Sequence, residues 1–216
     1  LTGSHSGQDF GVTIDSGVNW FVLSEWTFLD AIRFDKDRFV QKDVRGDVHL
    51  HAVAVDPSNP LIVYAGSIHD PSPFLDKMLI GSHIFKSYNA GVTWEEIGEN
   101  YPRDIETSVR VIVVDPYDSD VIYLGTSKQE SVVGNGLWIS TDAGRTWGRS
   151  NEGLPTDASI NAIVVHPSNA GWLLVGTEQG MYRSSNAART WQRVGGWSVW
   201  DVELNLQRPE HVYAGT

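Results

Sequence analysis

The chain has 216 residues, a formal net charge of −11 and a hydrophobic share of 41%, so it can bury a sizeable core and is strongly acidic overall. That field repels a phosphate backbone and argues against nucleic acid as a partner. The absence of cysteine excludes disulfides, thiolate metal sites and cysteine nucleophiles, and no apolar run reaches the roughly 18 residues that a transmembrane segment needs.

From its start the chain reads "LTGS" (1–4) and then "TIDSGVNW" (13–20), with Asp15, Gly17 and Trp20. A long stretch, 21–48, follows, and Trp26, Phe28, Phe34 and Phe39 make it too aromatic for a freely solvated loop. At 49–67 comes "HLHAVAVDPSNPLIVYAGS", an apolar run, a Pro/Asn/Asp turn, a second apolar run and a Gly-Ser mark. An insertion at 68–82 leads to "SYNAGVTW" (87–94) with Asn89, Gly91 and Trp94. The cycle repeats as "SVRVIVVDPYDSDVIYLGTS" (108–127) and "STDAGRTW" (140–147), the latter holding Ser140, Asp142, Gly144, Thr146 and Trp147. It repeats again as "SINAIVVHPSNAGWLLVGT" (159–177) and "SSNAARTW" (184–191), with Asn186 and Trp191, and ends on "SVWDVELNLQRPEHVYAGT" (198–216).

Short β-branched runs bounded by turn residues predict strands, and the S-x-D-x-G-x-T-W box predicts a third strand, a tight turn and a fourth strand starting at the Trp. Four antiparallel strands per unit, repeated in series, predict an all-β fold of propeller blades. The units are approximately 1–48, 49–107, 108–158 and 159–197, with 198–216 starting a further blade. The first run of each unit is apolar almost throughout, as suits an innermost strand covered on both faces. Within the box, the Asp or Asn accepts from backbone N–H groups, the Gly supplies positive φ and the Trp packs on the sheet. The last copy has Ala188 in place of that Gly, so a distorted or less ordered turn is expected there, with strain on the order of 1 kcal/mol if the shape is kept.

These boxes, with the "VDPSNP…VYAGS" spacing before them, resemble the BNR/Asp-box β-propellers over essentially the whole chain. That superfamily includes sialidases, xyloglucanases, sortilin-type receptors and photosystem II assembly factors. The resemblance implies a β-propeller, boxes lying away from the central cleft, secretion or a cell-envelope location, and a protein or glycan as partner. It specifies no activity. The chain starts and ends at the same point of the repeat and holds about four blades, which is expected of a segment of a larger propeller, completed by the rest of that propeller or by further copies, in preference to a small closed ring.

Aligning the units on the turn puts His51, Arg110, Asn161 and Trp200 in one column at the inner-strand starts, where a channel mouth would lie. The column one step deeper, Val53, Ile112, Ile163 and Val202, is uniformly apolar. The units therefore agree where they pack and differ where a ligand would sit, although solvated strand starts also tolerate any residue. His49, Trp26 and Trp197 join the candidate binding set. The two insertions would project from the same face, where long loops carry binding functions or simply decorate an edge.

Glycoside hydrolysis needs paired carboxylates, and Asp30, Asp35, Asp37, Asp104, Glu106, Asp157 and Asp201 are candidates without a motif to single any out. Arg33, Arg38, Arg45, Arg103 and Arg110 match no sialidase pattern, and no catalytic residue is assigned. Asp115, Asp118 and Asp120 could suit a calcium ion, but the plain "DPSNP" turn at that place in another unit favours a solvated turn, so no metal and no cofactor is expected. His49 and His51, with His69 and His83 in the same unit, lack the ligand set of a zinc site and suit the channel mouth better. The reading that results is a non-catalytic binding, scaffold or assembly module acting through its channel-mouth face. The alternative is a carbohydrate-active enzyme of xyloglucanase or sialidase type, or a fragment of one.

Overall fold

The computed structural model describes residues 50–67, 82–101, 107–127 and 135–216, and the backbone alone of 2–3, 10–12 and 21–23. Every regular element in them is a strand. The first blade holds β1 (Thr2–Gly3), β2 (Phe10–Val12) and β3 (Phe21–Leu23). The second runs β4 (Leu50–Val55), β5 (Val63–Ser67), β6 (Ile84–Ser87) and β7 (Glu95–Ile97). The third runs β8 (Ser108–Val114), β9 (Ile122–Ser127), β10 (Leu137–Ser140) and β11 (Gly148–Arg149). The fourth runs β12 (Ile160–Val165), β13 (Leu173–Thr177), β14 (Gly180–Ser184) and β15 (Gln192–Gly195), and the fifth has β16 (Asp201–Leu204) and β17 (Val212–Gly215). Each sheet is an antiparallel meander in chain order, and the inner strands β4, β8, β12 and β16 lie side by side.

Alternation along the inner strands builds the core between blades. Ala52 and Ala54 of β4, with Tyr64 and Ile84, meet Val109, Ile112, Leu124 and Trp138 of the third blade. The opposite face of the third blade (Val111, Val113, Tyr123, Leu137) meets Ile160, Ile163, Val175 and Tyr182. Ala162, Val164 and Leu174 in turn cover Val199, Val202 and Leu204. In the second, third and fourth blades the Gly of the Gly-Ser/Thr mark is a point of close approach to the next blade. A Cβ on Gly66 would stand 2.2 Å from Val109 Cγ1, one on Gly125 2.7 Å from Ile160 Cγ2, and one on Gly176 2.7 Å from Val199 Cγ1. A side chain there would wedge the blades apart, so the mark is a packing requirement of the blade interface.

At the far end of the inner strands the turn and the box lock together. Asp56, Asp115, His166 and Asn205 each accept the N–H two residues on, from Ser58, Tyr117, Ser168 and Gln207. His166 does this with Nδ1, so an imidazole fills a role that carboxylates and an amide fill elsewhere. The box then donates to the turn of its own blade: Ala90 N–H to Leu61 O, Ala143 N–H to Asp120 O and Ala187 N–H to Gly171 O. Those alanines sit at φ of 57°, 57° and 56°, so the box spends two consecutive residues in the left-handed region, not the Gly alone.

The last box keeps the shape of the others, against the expectation of distortion. Ala188 has φ of 61°, its N–H still reaches Ser184 Oγ at 3.0 Å, and Thr190 N–H still reaches Asn186 Oδ1 at 3.0 Å. The reason lies in the preceding blade. In the third blade a Cβ on Gly144 would stand 2.5 Å from Ile97 Cδ1. The residue at Ile97's register in the third blade is Ser150, whose N–H pairs with Leu137 O. The smaller serine leaves room for the Ala188 methyl, and its hydroxyl donates to Ala188 O.

Candidate functional site

The inner-strand starts share a backbone irregularity. Pairing between β4 and β5 slips between Leu50 and Ala52, between β8 and β9 between Val109 and Val111, and between β12 and β13 between Ile160 and Ala162. The extra residues of these bulges are His51, Arg110 and Asn161, members of the sequence-derived column. A bulge frees its residue from the alternation of the strand and re-aims the side chain. Trp200 occupies the corresponding place just before β16, its N–H donating to Gly215 O at 2.8 Å.

The four side chains differ in exposure. His51 and Arg110 are exposed, and Trp200 is 52% exposed. Asn161 is half-buried and donates from Nδ2 to Val199 O at 2.9 Å, so it also ties the fourth blade to the fifth. The deeper column packs between blades: Ile112, Ile163 and Val202 each face the preceding blade. The bulge is the cause, because an extra residue at the strand start shifts the side on which all later residues point.

Trp197 lies in the loop between β15 and β16 and is 50% exposed. One side of its six-membered ring lies over Gly195, where a Cβ would fall 2.9 to 3.2 Å from Cη2, Cζ2 and Cζ3. Sequence reasoning missed the neighbour that fixes this loop. Arg193 donates from Nη2 to Gln179 O (2.7 Å) and Gly196 O (3.4 Å) and from Nε to Gly195 O (3.2 Å). Its position opposite Tyr182 gave no sign of this, since Arg149 at the same register instead lies over the Trp138 ring.

Asp15, Gly17, Trp20, Trp26 and His49 lie outside the described residues, as do His69, most of both insertions and the carboxylates Asp30, Asp35, Asp37, Asp104 and Glu106. Arg33, Arg38, Arg45 and Arg103 also lie there. The aspartates weighed for calcium are engaged in their turn. Asp115 is buried and accepts from Tyr117 N–H at 2.8 Å and Tyr123 Oη at 2.9 Å, while Asp118 accepts from Asp120 N–H at 3.1 Å. Among the described residues no cluster of three or more His, Asp or Glu could hold a metal ion. His83 is buried beside Glu96, with Nδ1 2.9 Å from Glu96 Oε1, and so does not reach the rim with His51.

The box residues are internally bonded. Ser140 Oγ accepts from Gly144 N–H (2.8 Å), Asp142 Oδ1 accepts from Thr146 N–H (2.8 Å), and Asp142 Oδ2 accepts from Thr146 Oγ1 (2.6 Å). Trp94 and Trp147 donate from Nε1 to Gly91 O and Gly144 O, whereas Trp191 donates to Ser150 O of the third blade. Burial alone would raise the Asp142 pKa, but the bonds from Thr146 and Ser140 and the Arg145 charge outweigh it and hold it at about 2.

Known proteins resemble this chain in sequence and in fold. The Sortilin-Vps10 family model (Sortilin, neurotensin receptor 3) matches residues 82–199. The xyloglucanase Xgh74A of Acetivibrio thermocellus is 33% identical over 106 residues, which is 46% of this chain and 11% of that enzyme. A xyloglucanase of Paenibacillus is 27% identical over 176 residues, covering 68% of this chain and 16% of the relative. The solved GH74 enzyme of Niastella koreensis superposes with a TM-score of 0.59 at 20% identity, over 88% of this chain and 27% of that one. The chain thus spans only a small part of the length of these relatives, and the structural likeness speaks for the fold. With blades, boxes and a family match over more than half its length, the chain belongs to the sortilin-Vps10 family of Asp-box β-propellers.

Proposed function

We propose that this chain forms part of a glycan-directed β-propeller of the xyloglucanase kind, and that its inner-strand starts, with the loop before β16, are the surface that meets the sugar. One observation carries the reading. Bulges at a common position in the second, third and fourth blades carry three different polar residues, His51, Arg110 and Asn161, while the positions that follow are apolar and packed. A polysaccharide suits such a rim. Trp197 and Trp200 offer flat apolar faces to pyranose C–H groups, and Arg110 and His51 bring donors for sugar hydroxyls. The xyloglucanase relatives direct this general fit toward xyloglucan.

Hydrolysis would need two carboxylates flanking the bond. Asp157 and Asp201 are the described members of the earlier set, and each accepts from a neutral donor, Gln179 Nε2 at 3.0 Å and Val202 N–H at 2.9 Å. We assign neither a catalytic role, and binding is the contribution argued for these blades. A module that binds without turnover shares the same rim and differs only in releasing no product.

Calorimetric titration with xyloglucan oligosaccharides, run beside an assay for new reducing ends, tests the reading. Saturable binding is expected, weakened on the order of tenfold by Trp200→Ala with little change in melting temperature. Arg110→Ala should weaken it less. Product release separates the hydrolase from the binding module. Binding absent for xyloglucan and unbranched β-glucan alike, or untouched by both substitutions, would overturn the proposal.

A further inference from the structure

We infer that Arg193 is a positioning residue that presets Trp197 as the platform of a sugar-stacking subsite; the inference rests on the glycan reading above. Three features converge on this loop. The Trp197 ring has one face on the Gly195 backbone, and the side chain remains 50% exposed, so the supported ring leaves its other side to solvent. Gly195 itself is buried beneath the ring, and any side chain there would occupy the ring's place. The Arg193 guanidinium then joins the carbonyls of Gly195 and Gly196, immediately before Trp197, to Gln179 O in the loop between β13 and β14.

The register of β14 and β15 explains why Arg193 is available for this. Met181 pairs with Gly195 and Tyr182 with Arg193, so Val194 is an extra residue and the strand bends where the guanidinium folds back along it. Gly180 completes the seat. Its φ of 147° and the 2.4 Å from its would-be Cβ to Gly195 O leave no space for a side chain. Gln179 is braced in turn, its Nε2 donating to Asp157 Oδ1 at 3.0 Å. A planar fork can hold three carbonyls at fixed angles where an ammonium cannot, so the loop is ordered before any ligand arrives and less freedom is lost on binding.

The test is a double-mutant cycle on xyloglucan-oligosaccharide affinity in the whole protein, with Trp197→Ala, Arg193→Ala and both together, and melting temperature as the folding control. Trp197→Ala is expected to weaken binding on the order of tenfold, and Arg193→Ala several-fold. The double variant should bind no more weakly than Trp197→Ala, because Arg193 acts only through the ring. If Trp197→Ala leaves affinity unchanged, the glycan platform itself is wrong. If Trp197→Ala weakens binding and Arg193→Ala does not, or if the two losses add, the positioning role is wrong. Should Arg193→Ala unfold the chain, Arg193→Lys takes its place, read by acrylamide quenching of the emission lost in Trp197→Ala. Increased quenching with intact melting supports the inference, and unchanged quenching and affinity defeat it.

Discussion

The two ends of the inner strands follow opposite rules. At the end that runs into the turn and box, the blades repeat both residues and bonds: an acceptor two residues before its donor, a left-handed Ala-Gly or Ala-Ala pair, and a Trp held against the sheet. At the start of the inner strands the side chains do not repeat, giving His51, Arg110, Asn161 and Trp200, the first three on a bulge that recurs from blade to blade. A bulge needs no particular side chain, because its residue is outside the ladder. The box needs particular ones, because side chains of the box itself hold several of its N–H groups, those of Gly144 and Thr146 among them. Repetition therefore marks what holds the blades, and variation on a common backbone marks where binding can differ between them.

The sharpest break of that comparison is a pair of tryptophan truncations. Trp147 is buried, donates from Nε1 to Gly144 O, and packs edge-on to Tyr101, whose ring also meets Trp138. Its main-chain N–H is held by Asn100 Oδ1 at 2.7 Å. Trp147→Ala should destabilise the fold by about 3–5 kcal/mol, read as a shift in the denaturant midpoint, while the folded fraction keeps its affinity for sugar. Trp200→Ala should leave the midpoint within about 0.5 kcal/mol. Equal stability losses at both positions would erase the distinction between the ends.

A second test concerns the one box that breaks the sequence rule. Ser150→Ile restores the side chain found at Ile97 and drives it into the Ala188 methyl, which should cost about 1–3 kcal/mol. Adding Ala188→Gly removes the methyl and should recover most of the loss, a coupling that thermal melts of the four variants can measure. The compensation was invisible when the box was read alone, since Ser150 is 38 residues from Ala188 and belongs to another blade. Strands, turns and boxes were legible because each depends on residues close in sequence. The bulges were not, for a slip is set by the partner strand. His166 as a turn acceptor and Arg193 as a loop clamp also escaped, because their roles depend on where one ring nitrogen or one guanidinium happens to point. The alignment nonetheless placed the column at the bulge itself, because the turn that anchors the alignment also fixes the length of the inner strand.

The smallest effect separates the Asp box from its Asn counterparts. In the third blade Thr146 Oγ1 donates to Asp142 Oδ2, whereas Asn89 and Asn186 donate from Nδ2 to Thr93 Oγ1 and Thr190 Oγ1, each at 2.8 Å. The threonine hydroxyl reverses its direction and the turn is otherwise the same. Only the aspartate titrates. Its folded pKa of about 2 lies below the ordinary 3.8, so its contribution is fully present above that ordinary value and is lost as pH falls toward 2. The carboxylate is partly exposed, which screens the effect to below about 1 kcal/mol. Asp142→Asn should therefore change stability little at neutral pH, since asparagine already serves in two other boxes, and should flatten the local acid dependence between pH 4 and 2. Denaturant midpoints of both proteins across that range give the answer. Parallel curves would mean that the carboxylate holds its turn no better than an amide does, and that the box is indifferent to charge as well as to which blade it closes.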